Sequence, residues 1–369
     1  MAEQSDMEVG FAYYERNSRL EKHLSNAGEE SQLALYPLPL KSEAPPVIRT
    51  LVCISRFPLL RALMESLEPD VVVLSQGDAK VSSIGLLAAK SAKLRTISYI
   101  PLAHKNTSRF WFKSVFHDLI DRYLFGLPDE FITSSESAKF GLRRHGVSVP
   151  ISLVHSGIDL GGSENGDRLE KRRNYGFSDN EYIVAVVGRI VFQQKAQDLL
   201  VDAVSQYREQ LNGVRFCVMG DGQDEQKLRR MICEQRLTNH ISILPWSWDV
   251  ASLYVAADML LIPSRFEGMP QVMLEAMWHE LPVVASDVDG MAELLPTEWL
   301  FRSGDPNSLV ATVCRVRQSD NSQLLSTNKQ RVRDNFGISQ FQSRFCLAVT
   351  QSSLLPNVRL APADATQVQ

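Results

Sequence analysis

Short runs of β-branched and apolar residues alternate along this chain with longer stretches whose apolar positions recur every three or four residues. That is the pattern of βα units wrapped around parallel sheets. In the first half the apolar runs fall at 8–12, 33–36, 50–54, 70–74, 96–100, 130–133 and 151–155. In the second they fall at 182–187, 214–219, 240–244, 259–262 and 282–285, separated by helical patterns such as 223–234. The alternation is interrupted at 161–180, a glycine-rich, charged stretch of little periodicity that reads as a linker. The pattern therefore predicts an α/β protein of two doubly wound, Rossmann-like domains, 1–160 and 181–338. A helical stretch follows at 339–355, and 356–369 has no apolar face and reads as a tail. Two such sheets facing each other would bring the carboxyl ends of their strands to one cleft, where open α/β sheets bind ligands.

Composition agrees with this picture and removes several alternatives. With 369 residues, 44% apolar and 22% charged, the chain can bury two full cores and is neither disordered nor stapled by disulfides. Its 39 basic against 43 acidic residues give a formal charge of −4, without the broad basic field that nucleic-acid binding needs. The five cysteines are odd in number, widely spaced and without a C-x-x-C, so they read as reduced thiols. No signal-like segment or long apolar run is present, which predicts a cytoplasmic protein. One stretch departs from the average. Between Lys80 and Arg122, eight cations outnumber Asp118 and Asp121, and Phe110, Trp111, Phe112, Phe116 and Tyr123 crowd the same region. Two readings stand there: an amphipathic helix on its own sheet with a solvated basic face, or an interfacial helix touching anionic lipid at the inner face of the membrane.

Candidate chemistry concentrates in the second half. In SRFEGMPQVMLEAM, 264–277, Glu267 sits in the loop after a strand and Glu275 inside the following helix, whose first free N–H groups favour an anion. In VVGRIVFQQKAQDLL, 186–200, Arg189 and Lys195 flank a glycine turn, and two fixed cations there suit a phosphate or diphosphate. VMGDGQDEQKLRR, 218–230, is a partial phosphate-loop pattern whose third glycine position is Glu225, which weakens a nicotinamide oxidoreductase reading. Asp287 and Asp289 form a D-x-D that could chelate a divalent ion, although Asp with Gly more commonly marks a turn, so no metal site is expected.

Taken in order with HSGID at 155–159 and PVVASDVDG at 282–290, these segments resemble the second half of retaining GT-B glycosyltransferases of the family 4 type. The likeness points to bacterial exopolysaccharide enzymes, and more faintly to an enzyme of the cyanobacterial heterocyst envelope polysaccharide. It implies transfer of a hexose, with glucose from UDP-glucose as the expected donor, to a glycan or lipid-linked acceptor, without a further cofactor. It also implies that Arg189 and Lys195 bind the donor diphosphate, and that Glu267 holds donor-sugar hydroxyls, helped by backbone N–H groups at Gly268, Met269 and Gln271. Glu275 would take the ribose hydroxyls, Leu244 and Pro245 would border the base, and His104 would approach the donor sugar from the first domain. As in GT-B enzymes, 339–355 would return to the first domain. Three departures accompany the match. The first loop, FAYYERNSR at 11–19, lacks the glycine-rich turn of the family, Ser156 replaces the usual Asn, and Asp289-Gly290 replaces a glycine pair. The first departure motivates a rival reading, a non-catalytic partner subunit that keeps only nucleotide-sugar binding.

Overall fold

The computed structural model describes residues 8–14, 20–21, 24, 33–38, 54–76, 83–102, 122–161, 167–247 and 249–350. The chain divides into two compact units. Unit 1 comprises 1–133, 139–154 and 342–357, and unit 2 comprises 134–138, 155–341 and 358–369.

In unit 1, β1 (Val9–Tyr14) and β2 (Leu33–Leu38) pair in parallel as a two-stranded sheet. A separate four-stranded parallel sheet runs β3 (Val71–Ser75), β4 (Arg95–Tyr99), β5 (Glu130–Thr133) and β6 (Ile151–Leu153) in simple sequence order. Helices α1 (Phe57–Leu67), α2 (Ser83–Ser91) and α3 (Glu136–Arg144) alternate with these strands. Of the predicted strand at 50–54, residues 50–53 lie outside the described residues, and Ile54 opens a short 3-10 turn.

Unit 2 is built on one six-stranded parallel sheet. Its strands are β7 (Tyr182–Val187), β8 (Val214–Met219), β9 (Ile241–Leu244), β10 (Met259–Ile262), β11 (Val283–Ser286) and β12 (Leu300–Phe301), in spatial order β12-β11-β10-β7-β8-β9. This is the Rossmann order, with the winding reversing between β7 and β10. Val184, Ala185, Phe216, Leu260 and Val284 are wholly buried, as expected of parallel strands covered on both faces. The connecting helices are α4 (Arg168–Asn174), α5 (Phe192–Lys195), α6 (Gln197–Gln206), α7 (Glu225–Glu234), α8 (Val250–Ala256), α9 (Gln271–Trp278), α10 (Asp289–Leu294), α11 (Pro306–Gln318) and α12 (Ser322–Asn335). The last helix, α13 (Ile338–Thr350), begins in unit 2 and ends in unit 1, where Phe345 packs edge-on against Tyr99 and the Val349 carbonyl accepts from Arg95.

Two expectations are corrected. The stretch read as a linker is structured from Asp167 onward. The Asp167 carboxylate caps α4 at the Leu169 N–H, 3.0 Å away, and Arg172 is 3% exposed. The charged sequence conceals this because the two terminal nitrogens of the Arg172 guanidinium donate to the carbonyls of Ala256, Ser178 and Glu181 and to the Asp258 carboxylate, so a cation is held inside the core by four acceptors. The boundary also lies before 160. Ile158 bridges to Gly337, donating to the Phe336 carbonyl and accepting from the Ile338 N–H, each at 2.8 Å. The HSGID segment thus belongs to unit 2.

Candidate functional site

The winding reversal of unit 2 leaves the loops after β7 and β10 side by side, and ligands of open α/β sheets bind at such a point. The turns after β7 and β8 are pressed backbone on backbone. A Cβ on Gly220 would lie 2.0 Å from the Gly188 carbonyl oxygen, and one on Gly222 would lie 2.3 Å from that of Ile190. Ile190 N–H donates to the Asp221 carbonyl at 2.7 Å, and the Asp224 carboxylate reaches across to cap Phe192 N–H at the start of α5 at 2.8 Å. This packing fixes α5, which carries Lys195 on its last turn before Ala196 breaks the helix at φ 52°.

Lys195 Nζ donates to Glu267 Oε1 at 2.5 Å, and the Ser264 hydroxyl donates to the same oxygen at 2.8 Å. Glu267 is 7% exposed. Burying a lone carboxylate costs several kcal/mol, and the adjacent ammonium and hydroxyl offset that cost. The backbone around the pair is braced too. Arg265 N–H donates to the Gln194 carbonyl at 2.8 Å, and its guanidinium reaches the Phe192 carbonyl and both carboxylate oxygens of Asp198. Glu267 N–H donates to Asp289 Oδ2 at 2.8 Å, and Gly290 N–H to the Gly268 carbonyl at 3.1 Å. Arg189 is exposed beside the β7 turn, its guanidinium 3.4 Å from Gln194 Oε1.

Glu275, on α9, sits in a different setting. It is half-buried, and the Tyr254 hydroxyl donates to its Oε2 at 2.9 Å. Burial pushes the Glu275 carboxyl above the ordinary carboxylate range, with the Tyr254 hydrogen bond pulling the other way. Tyr254 itself is held protonated by burial and by the carboxylate beside it. Gln271 opens α9, exposed, with its amide 3.5 Å from the Gly157 carbonyl, while Gly268 and Met269 are buried in the preceding loop. Leu244 ends β9 half-buried, its carbonyl accepting from Gly220 N–H at 3.4 Å, and Pro245 is exposed next to it.

Lys195 and Glu267 therefore meet directly; Arg189, Pro245, Gly268, Met269 and Gln271 lie on the loops or the helix start that follow β7, β9 and β10, Leu244 ends β9, and Glu275 is in the second turn of α9. His104 lies outside the described residues, as do Phe110, Trp111, Phe112 and Phe116 and half of the eight cations between Lys80 and Arg122. Two of the described cations there are tied to acids at the sheet, Lys90 to Asp129 at 2.8 Å and Arg95 to Glu130 at 3.3 Å. The D-x-D carboxylates serve backbone donors: Asp287 accepts from Ser303 N–H and Asp289 from Glu267 N–H. Among the described residues no group of three or more His, Cys, Asp or Glu could hold a metal ion, and no helix is long and apolar enough to cross a membrane. Sequence reasoning passed over Ser264, Arg265, Asp289 and Tyr254 as site residues. Asp289 alone carried a signal, as an acid where a glycine pair was expected.

Residues 181–319 match the protein family Glycosyl transferases group 1. These residues form a group 1 glycosyl transferase domain. The group 1 domain runs from the start of β7 to the end of α11 and so contains Arg189, Lys195, Glu267 and Glu275. Among curated relatives, a D-inositol 3-phosphate glycosyltransferase of Mycobacteroides abscessus is 36% identical over 148 residues, covering 38% of this chain and 32% of the relative. The UDP-Gal:alpha-D-GlcNAc-diphosphoundecaprenol alpha-1,3-galactosyltransferase of Escherichia coli is 27% identical over 199 residues, 51% of each chain. The aligned parts thus span about a third to a half of these relatives. Among solved structures, Anabaena HepE in complex with UDP and glucose aligns with a TM-score of 0.71 at 18% identity over 88% of both chains. Sucrose-phosphate synthase of Thermosynechococcus elongatus aligns at 0.70 and 16%, over 92% of this chain and 94% of its own. The shared fold is GT-B, an α/β architecture of two Rossmann-like domains, in agreement with the sequence pattern.

Proposed function

We propose that this chain is a retaining glycosyltransferase that moves a hexose, with UDP-glucose as the expected donor, to a glycan or lipid-linked acceptor in exopolysaccharide biosynthesis. The observation that carries the reading is the Lys195–Glu267 pair at the winding reversal of a group 1 domain. An ammonium and a carboxylate that neutralise each other in a buried loop are complementary to a ligand bearing an anion next to hydroxyl groups. A donor diphosphate draws on Lys195 and Arg189, and Glu267 is then met by sugar hydroxyls. As the glycosidic bond breaks, negative charge grows on the leaving phosphate. Fixed cations stabilise that charge more than they stabilise the ground state. Backbone N–H groups at Gly268, Met269 and Gln271 add neutral donors, Glu275 takes the ribose hydroxyls, and His104 is carried as a donor-sugar contact by the family resemblance alone. Retention follows from attack on the face that the leaving group departs from, with a donor phosphate oxygen taking the acceptor proton.

Support for uridine nucleotides comes from HepE, solved with UDP and glucose, and from the Escherichia coli relative, named for UDP-Gal and a diphosphoundecaprenol acceptor. The test is thermal shift with UDP, ADP, GDP and TDP and their common sugars, with and without magnesium. A ligand at 100 times its Kd stabilises by about 2.7 kcal/mol. UDP and UDP-glucose are expected to raise Tm without magnesium in the wild type and to lose that effect in Lys195→Ala and Arg189→Ala. No shift with any nucleotide overturns the proposal. A shift without sugar transfer or donor hydrolysis favours the non-catalytic partner subunit.

A further inference from the structure

We infer that Asp289 is a positioning residue, its carboxylate holding the backbone of Glu267 in the geometry that sugar transfer requires; the inference rests on the role proposed above for Glu267. Three observations meet at this turn. Asp289 has φ 47°, in the left-handed region that favours glycine. Its Oδ2 accepts the Glu267 N–H at 2.8 Å, from a residue 22 positions away in sequence. The next residue, Gly290, donates to the Gly268 carbonyl at 3.1 Å, and a Cβ there would lie 2.1 Å from that oxygen. The turn after β11 thus grips the loop after β10 at two consecutive residues, once by a side chain and once by backbone.

Lys195 and Ser264 hold the Glu267 carboxylate from one end, and Asp289 holds its main chain from the other. A glycine at 289 would relax the backbone conformation but leave the Glu267 N–H without this acceptor. An aspartate accepts the strain and supplies the bond, and strain that persists beside reacting groups is expected when the geometry serves function. An asparagine tolerates the same backbone region and offers an amide oxygen in place of the carboxylate oxygen.

These chemistries separate a positioning role from a merely structural one. Asp289→Gly is expected to lower Tm only slightly, because relief of the left-handed backbone offsets part of the lost hydrogen bond, while kcat for sugar transfer falls about ten- to a hundredfold. Nucleotide diphosphate affinity changes by less than threefold in that variant, because Lys195 and Arg189 are untouched. Asp289→Asn is expected to recover most of the lost kcat. Hydrogen exchange at the Glu267 amide should speed up in the Gly variant and stay slow in the Asn variant. Undiminished kcat in Asp289→Gly overturns the inference, as does a kcat loss that merely follows a fall in Tm, or an Asn variant as slow as the Gly variant. Absence of transfer by the wild type with every donor overturns the glycosyltransferase reading instead, and this inference with it.

Discussion

Glu267 and Glu275 belong to one strand–loop–helix unit, yet their carboxylates have opposite surroundings. Glu267 is the more buried, and its charge is met by an ammonium and a hydroxyl at one oxygen, with its backbone gripped from the neighbouring turn. Glu275 is half-buried and its hydrogen-bonding neighbour is a neutral phenol, so burial acts on it with little opposition. The difference teaches that two buried acids of one loop and helix can differ in kind, one bound to a cation and one to a neutral hydroxyl, according to what stands beside each rather than how deep it lies. The loop acid is held at its side chain and at its main chain, and the helix acid by one hydroxyl.

The largest effect expected from this contrast is on turnover. Glu267→Gln should lower kcat for transfer by about 10²–10³-fold, the scale of losing one preorganised electrostatic contact in an active site, with nucleotide Kd little changed. Steady-state kinetics with the donor identified by thermal shift would check this, and an unchanged kcat would break the comparison at its first member.

Glu275→Gln should act on binding and stability in opposite directions. Donor Kd should rise about tenfold by loss of charge-assisted hydrogen bonds, while the ligand-free protein becomes more stable at pH 7. The sign follows from linkage. A carboxyl whose folded pKa lies above its ordinary 4.5 binds more protons folded than unfolded between those two values, so stability falls as pH rises through that window. The amide removes the penalty, and the Tm difference between variant and wild type should shrink as pH is lowered toward 4.5. A Tm below wild type at pH 7 would contradict this account.

The smallest effect is expected from Tyr254→Phe. Removing the hydroxyl removes the interaction that lowers the Glu275 pKa and leaves burial unopposed. If Glu275 binds the donor as proposed, donor affinity should fall as pH drops through its pKa, and in this variant the midpoint of that fall should move to higher pH, with affinity at pH 8 reduced only severalfold. Isothermal titration across pH 5–8 would show it, and coincident profiles for the two proteins would refute the coupling.

Much of unit 2 was legible because its elements satisfy two demands at once. The runs at 182–187 and 259–262 are apolar on both faces, as doubly covered parallel strands are, 214–219 is so apart from Arg215, and the three match β7, β10 and β8 residue for residue. The two-residue strand β12 was not legible, since Leu300 and Phe301 are too few to show a period. The linker reading failed at Arg172, where charge in the sequence stands for a buried, ion-paired core residue in the fold. Arg189, Lys195, Glu267 and Glu275 could be named from their motifs, whereas Tyr254 and Arg265 could not. Both act through contacts between segments distant in sequence, the Tyr254 hydroxyl on a helix 21 positions away and the Arg265 guanidinium on an acid 67 positions away.

The paired turns at Gly188–Gly222 also bear on how such a chain can diverge. Where a side chain's first carbon would lie 2.0 Å from a neighbouring carbonyl oxygen, no substitution is small enough to enter, whatever ligand the site comes to hold. The charged groups nearby can be exchanged one at a time as substrates change, but Gly220 and Gly222 cannot follow without rebuilding both loops. These two positions are the fixed landmark by which the site can be located in descendants whose ligand-contacting residues have been replaced.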